Sequence, residues 1–269
     1  MLKKRIATAA FLLPLVVAVV WFNEPLPWLT IFTAIWGVMA AFEFFTAVNK
    51  SGQKPPSLTI FGLLWTLFFI ISPLFDYTYL KPILLVSAAV LPAIWFLVRH
   101  HGKRAFMGWV WTIIGILYIG VLLSYFVALR ELDYGREWVF FALFVTFASD
   151  SAAFFVGSAV GKHPLAPSIS PKKTWEGAIG GVLGAIGTGL LLVLILELPI
   201  TYIQVIPLAI AVSIFGQLGD LLESLFKRIV RVKDSGKAIP GHGGFLDRMD
   251  SVVLAGVLVY YYTIAICVG

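Results

Sequence analysis

Residues 217–250, QLGDLLESLFKRIVRVKDSGKAIPGHGGFLDRMD, gather carboxylates, cations and glycines in a chain that is elsewhere mostly apolar. Within 34 residues stand Asp220, Glu223, Lys227, Arg228, Arg231, Lys233, Asp234, Lys237, Asp247, Arg248 and Asp250, together with Pro240, His242 and the glycines 241, 243 and 244. Carboxylate oxygens suit a hard divalent cation. Lys and Arg neutralise phosphate oxygens, and glycine lets a backbone bend tightly and approach a ligand. The chemistry these residue types share is a metal-assisted site for phosphorylated ligands.

Asp220, Glu223, Ser224 and Lys227 fall at i, i+3, i+4 and i+7, so a helix through them puts all four on one face. A carboxylate inside an apolar run costs about 2.5–3.5 kcal/mol on insertion scales and needs water, a metal or a cation. An Asp220–Lys227 ion pair would meet that need. A metal-ligand role for Asp220 is the reading preferred, because more carboxylates follow. Asp247 and Asp250 lie i, i+3 where the last apolar run begins, a place where acidic residues also cap helices. Asp247 is favoured as the ligand and Asp250 as a secondary one. Asp150, flanked by Ser149 and Ser151, is either a hydrogen-bonded Asp between helices or a further carboxylate facing the same polar space.

Upstream, Ser170-Pro171-Lys172-Lys173-Thr174-Trp175-Glu176-Gly177 leads into another apolar run. A helix N-terminus beside Lys172 and Lys173 could cradle a phosphate. The alternative is an ordinary basic loop closed by a Thr cap. The G-x-x-x-x-G-K pattern of a P-loop is absent. His242, between glycines, is a base, a ligand or part of a turn; His100, His101 and His163 read as solvated charge.

The elements that position these residues are membrane helices. With 60% hydrophobic and 13% charged residues, the chain reads as an all-α polytopic membrane protein. Apolar runs predict nine spans, at about 6–22, 26–48, 57–75, 79–98, 107–129, 137–158, 175–197, 202–226 and 248–268. The first is read as a retained helix, because MLKKR and its apolar run are followed by Asn23-Glu24-Pro25 rather than a cleavage site. With the N-terminus cytoplasmic and the C-terminus outside, seventeen Lys and Arg face the cytoplasm against three outside, Lys81, Arg130 and Arg136. That distribution satisfies the positive-inside rule and puts the reactive stretch on the cytoplasmic side. Residues 1–136 read as a scaffold of N-terminal helices and 137–269 as the catalytic region, with cytoplasmic loops at 159–174 and 227–247. Gly177, Gly180, Gly181, Gly184, Gly187 and Gly189 allow close helix packing, within the chain or between protomers. The single cysteine, Cys267, rules out an intrachain disulfide and a Cys-based zinc site.

The order Ser224-x-x-Lys227-Arg228, Lys233-Asp234, Pro240-x-His242-Gly243-Gly244, Asp247-Arg248-x-Asp250, with SISPKKTWEG at 168–177, resembles the phosphatidate cytidylyltransferase (CDP-diacylglycerol synthase) family. The resemblance implies a reaction of CTP with phosphatidate that yields CDP-diacylglycerol and pyrophosphate. It implies Mg²⁺ on Asp220 and Asp247, with Asp150 and Asp250 as further carboxylates and room for a second cation such as K⁺. Lys227 and Arg228 would join those two aspartates in catalysis. Lys172, Lys173, Ser224, Lys233, Asp234, His242, Gly243, Gly244 and Arg248 would bind substrate. A polar funnel open to the cytoplasm, a bacterial inner membrane, membrane lipids as neighbours, a homodimer and no nucleic acid complete the expectation. The rival readings are a CTP-dependent kinase or cytidylyltransferase for another lipid and, further off, an anion transporter.

Overall fold

A computed structural model describes residues 2–51, 57–99, 103–236, 238, 239, 241 and 243–268. His100, His101, Lys237, Pro240 and His242 therefore lie outside the described residues, as do the side chains of Lys3, Lys4, Arg5, Arg104 and Cys267. The helices are α1 Leu2–Trp21, α2 Trp28–Lys50, α3 Ser57–Ile71, α4 Leu80–Arg99 and α5 Lys103–Gly115. A π-helical stretch, Ile116–Val121, joins α5 to α6, Leu122–Arg130, without a break. Then follow α7 Gly135–Val160, strands β1 Pro164–Ala166 and β2 Ser170–Thr174, α8 Trp175–Leu196, α9 Tyr202–Ile229 and α10 Val252–Thr263.

Among the described residues, six helical stretches are long and apolar enough to cross a bilayer: Trp28–Lys50, Leu80–Arg99, Ala105–Arg130, Gly135–Val160, Trp175–Leu196 and Tyr202–Ile229. The runs expected at 6–22, 57–75 and 248–268 form the shorter apolar helices Ala10–Trp21, Leu58–Leu74 and Val252–Ile266. The last is short because residues 246–248 turn as a 3₁₀ helix before α10 begins at Val252. Large apolar side chains such as Leu97, Val98, Leu183 and Leu194 are exposed along these helices, as a lipid-facing surface requires.

The all-α expectation needs one correction. Loop 159–174 contains an antiparallel hairpin, with Pro164 paired to Thr174 and Ala166 to Ser170. Polar Ser, Lys and Thr side chains in this stretch have no apolar face to bury in a helix, and the backbone satisfies itself across two short strands instead.

The chain forms two compact units. One contains residues 1–128 and 229–248; the other contains 129–228 and 249–269. In the first, Phe45 of α2 is fully buried and fills the space left by Gly62 of α3 and Gly115 of α5. A Cβ on those glycines would stand 2.2 and 2.7 Å from its ring. In the second, α8 lies tightly on α7 through its glycine stripe. A Cβ at Gly180 would come within 2.6 Å of Val156 Cβ, and one at Gly184 within 2.5 Å of Ala152 Cβ. The stripe thus packs within the chain, one of the two uses expected for it.

Candidate functional site

In the second unit the polar face of α9 develops as its spacing predicts. Oxygens of Asp220, Glu223 and Asp250 lie within 4.8 Å of one another. Asp250 reaches this face because residue 219 is glycine; a Cβ there would stand 2.1 Å from the Asp250 carbonyl oxygen. The segment before α10 can therefore lie directly on α9 beside Asp220. Ser251, the next residue, donates from Oγ to Asp150 Oδ2 at 2.7 Å, which brings the fourth predicted carboxylate to the neighbouring residue. Asp150 itself is exposed.

Two lysines neutralise part of this charge, in a pairing that differs from the Asp220–Lys227 pair weighed as the alternative to a metal-ligand role. Lys173 Nζ lies 2.7 Å from Asp220 Oδ2, and Lys227 Nζ lies 2.7 Å from Glu223 Oε2. An Asp220–Lys227 pair would have to span seven residues, about 10 Å of helix axis, whereas Glu223 is one turn away. Ser224 Oγ donates to Asp220 Oδ1 at 3.3 Å. Glu223 is 1% exposed, the deepest of the three carboxylates, and had been weighed only as part of the helix face. Three oxygen donors converging around a buried carboxylate fit a hard divalent cation. Asp220, Glu223 and Asp250 are the residues that would hold it.

The hairpin brings Lys173 to α9 and leaves Lys172 exposed beside it. Thr174 caps α8, accepting from Gly177 N at 3.2 Å, so the expected cap is present. Glu176 turns back to the loop: its Oε2 accepts from Lys162 N and His163 N at 3.1 and 3.3 Å, and its Oε1 lies 2.5 Å from His163 Nδ1. His163 is thus a loop contact rather than solvated charge alone. Arg228 Nε donates to Ile169 O at 3.4 Å, which fastens the end of α9 to the turn of the hairpin.

The first unit holds the other half of the motif. Asp247 sits in the 3₁₀ turn Leu246–Arg248 and is buried. Its carboxylate accepts from Gly244 N at 2.8 Å and from Ser235 N at 3.1 and 3.3 Å. Gly243 has φ +87°, and Ile239 N donates to Gly243 O at 2.9 Å. Asp247 therefore closes the loop on itself through loop amides. The expectation that Asp247 and Asp250 stand at the entry to the last helix is corrected in its bounds: α10 begins at Val252, so both residues precede it, Asp247 within the 3₁₀ turn. Lys233, Asp234 and Arg248 are exposed.

One buried acid of this unit was missed. Glu43 of α2 is 7% exposed, and its Oε2 accepts from Ser235 Oγ at 3.2 Å and from Leu246 N at 3.0 Å. The signal was present, since Glu43 is the only charged residue in the apolar run predicted at 26–48. An ionisable group in such a run is a functional candidate by default.

A model of the Cytidylyltransferase family matches residues 3–266. A protein of Bacillus subtilis (strain 168) named phosphatidate cytidylyltransferase is 46% identical over 146 residues, 54% of each chain. One of the same name from Brucella suis biovar 1 (strain 1330) is 42% identical over 153 residues, 56% of each chain. Another, from Staphylococcus epidermidis (strain ATCC 12228 / FDA PCI 1200), is 38% identical over 172 residues, 64% of each. The chain thus spans between about half and two-thirds of the length of the curated relatives it matches. With the family model reaching almost from end to end, the chain belongs to the cytidylyltransferase family.

Proposed function

We propose that this chain transfers the cytidylyl group of CTP to phosphatidate at a membrane surface, giving CDP-diacylglycerol and pyrophosphate. The observation that carries the reading is the convergence of Asp220, Glu223 and Asp250, with Lys173 and Lys227 paired to two of them. Three relatives named for this reaction support the choice of substrates. In the reaction, an oxygen of the lipid phosphate attacks the α-phosphorus of CTP. A new P–O bond forms as the bond from the α-phosphorus to the α,β-bridging oxygen breaks, and that electron pair leaves on pyrophosphate. Phosphate monoesters are largely ionised near neutral pH, so alignment and charge neutralisation carry the rate rather than a strong base.

Lys173 and Lys227 would exchange their carboxylates for phosphate oxygens as CTP enters. Arg228, Lys172, Lys233 and Arg248 would supply further positive charge, with Ser224, Asp234, His242, Gly243 and Gly244 binding substrate. A divalent cation such as Mg²⁺, held by Asp220, Glu223 and Asp250, would neutralise phosphate charge and stabilise the leaving pyrophosphate; a second cation such as K⁺ belongs to the same reading. Asp150 and Asp247 are proposed as further carboxylates needed for the reaction. Nine membrane-crossing segments, a cytoplasmic N-terminus, an external C-terminus, a cytoplasm-facing polar funnel and a bacterial inner membrane complete the proposal, supported by the seventeen-to-three bias of cationic residues. A homodimer also belongs to it; Gly180 and Gly184 of α8 face α7 of the same chain, while Gly187 faces open space.

The test is pyrophosphate release by purified protein in detergent with CTP, Mg²⁺ and phosphatidate. The expected result is release that needs all three and falls about 10²–10³-fold in Asp220→Asn and in Asp247→Asn. Turnover only with a different lipid phosphate or a lipid alcohol would move the assignment to that lipid. Silence with every lipid would overturn it.

A further inference from the structure

We propose that Glu43 is a positioning residue: from α2 it holds the two ends of loop 235–247 together and so fixes the register of Asp247. The consequence for turnover rests on the reaction proposed above; the anchoring does not. Glu43 Oε2 accepts from Ser235 Oγ at 3.2 Å and from Leu246 N at 3.0 Å, two donors that stand eleven residues apart in the chain. The carboxylate also fits against the α-carbons of two glycines. A Cβ on Gly236 would lie 2.0 Å from Oε1, and one on Gly244 would lie 2.2 Å from Oε2. Both positions have to be glycine while Glu43 is there.

Asp247 holds the same segment, accepting from Ser235 N and Gly244 N. Ser235 therefore donates to both carboxylates, its Oγ to Glu43 and its N to Asp247, and Gly244, which donates to Asp247, leaves no room for a Cβ beside Glu43. Two helical turns before Glu43 on α2, Trp36 makes a third attachment. Its Nε1 donates to Phe245 O at 3.2 Å, and its ring meets Phe245 edge to face with centroids 4.8 Å apart. Trp36 and Glu43, seven residues apart, share one face of α2, so that face acts as a splint for the loop. A buried acid with no cationic partner among the described residues is a poor way to stabilise a helix packed in apolar surroundings. Holding a loop that carries a reactive carboxylate accounts for it.

The experiment compares wild type with Glu43→Gln and Glu43→Asp, as full-length protein in detergent, by hydrogen exchange and steady-state kinetics. In Glu43→Gln, peptides covering 235–247 are expected to exchange about tenfold faster, as for loss of one charge-assisted hydrogen bond, while α3 and α4 peptides keep their rates. Turnover is expected to fall about 10²-fold, as for a displaced reacting group, with the KM for CTP within about twofold. Glu43→Asp keeps the charge but withdraws it by one methylene, and is expected to exchange as fast as Glu43→Gln. Exchange in the loop that is unchanged in both variants would overturn the proposal, as would faster exchange spread evenly over α2, α3 and α4. A wild-type protein inactive toward CTP and phosphatidate, with loop-confined fast exchange in Glu43→Gln, would sink the proposed reaction and leave the anchor standing.

Discussion

The ammonium group of Lys173 lies 2.7 Å from Asp220 Oδ2, tying the hairpin that precedes α8 to the start of the polar face of α9. Two segments 47 residues apart in sequence thus meet through one charge pair. Both partners are partly exposed, at 23% and 36% of their side-chain surface, so the pair contributes little to stability, about 0–1 kcal/mol. Its value lies in where it holds an ammonium.

Lys173→Met should therefore separate stability from turnover. Its melting temperature in detergent is expected to move by no more than about 4 °C, while kcat/KM for CTP falls about 10²-fold through loss of a phosphate-facing charge. A large drop in melting temperature with normal turnover per folded molecule would show the pair to be a structural tie instead.

The acidic triad predicts a thermal response to divalent cations that needs no substrate. Mg²⁺ at about a hundred times its dissociation constant should stabilise the wild type by about 2.7 kcal/mol, reversibly on addition of a chelator. Asp220→Asn, Glu223→Gln and Asp250→Asn should each lose most of that increment. Thermal unfolding followed with and without Mg²⁺ checks it, and an increment retained in all three variants would place the cation elsewhere.

Glycines of α8 should respond to alanine according to what faces them. Gly187 has nothing within 4 Å of an added Cβ, so Gly187→Ala is expected to stabilise by about 0.5–1 kcal/mol. At Gly180 the Cβ would stand 2.6 Å from Val156 Cβ, inside the α7–α8 contact, and Gly180→Ala is expected to destabilise by about 1–3 kcal/mol. Chemical or thermal unfolding of the two variants side by side checks the sign of each.

Gly243 should tolerate no side chain. Its φ of +87° disfavours L-residues, and a Cβ would stand 2.6 Å from Asp247 Oδ2. Gly243→Ala is expected to cost about 1–3 kcal/mol of local strain and to reduce pyrophosphate release to the level of Asp247→Asn. Release near the wild-type level in a folded Gly243→Ala protein would argue against a role for Asp247 in the reaction.

Much of the candidate site follows from local rules. The face shared by Asp220, Glu223, Ser224 and Lys227 depends only on helical period, and the Thr174 cap depends only on the residues that follow it. Within that face, Lys227 pairs with Glu223 at a single turn, rather than with Asp220 two turns away, the alternative to a metal-ligand role. Asp250 was ranked below Asp247, yet it is Asp250 that joins Asp220 and Glu223. Its access rests on Gly219, and the partner across that glycine is a segment thirty residues later in the chain.

From the sequence alone came the membrane character, since a chain that is 60% hydrophobic has too little polar surface to be covered by water. The motif and its family likeness came with it, because residue identity and short spacing are properties of the chain. Tertiary structure alone decided which acids converge, that Asp247 is held by loop amides, and that α2 holds the loop through Glu43. Those are contacts between residues up to two hundred positions apart. Helical and strand periods carry no information at that range, and packing of whole elements sets it.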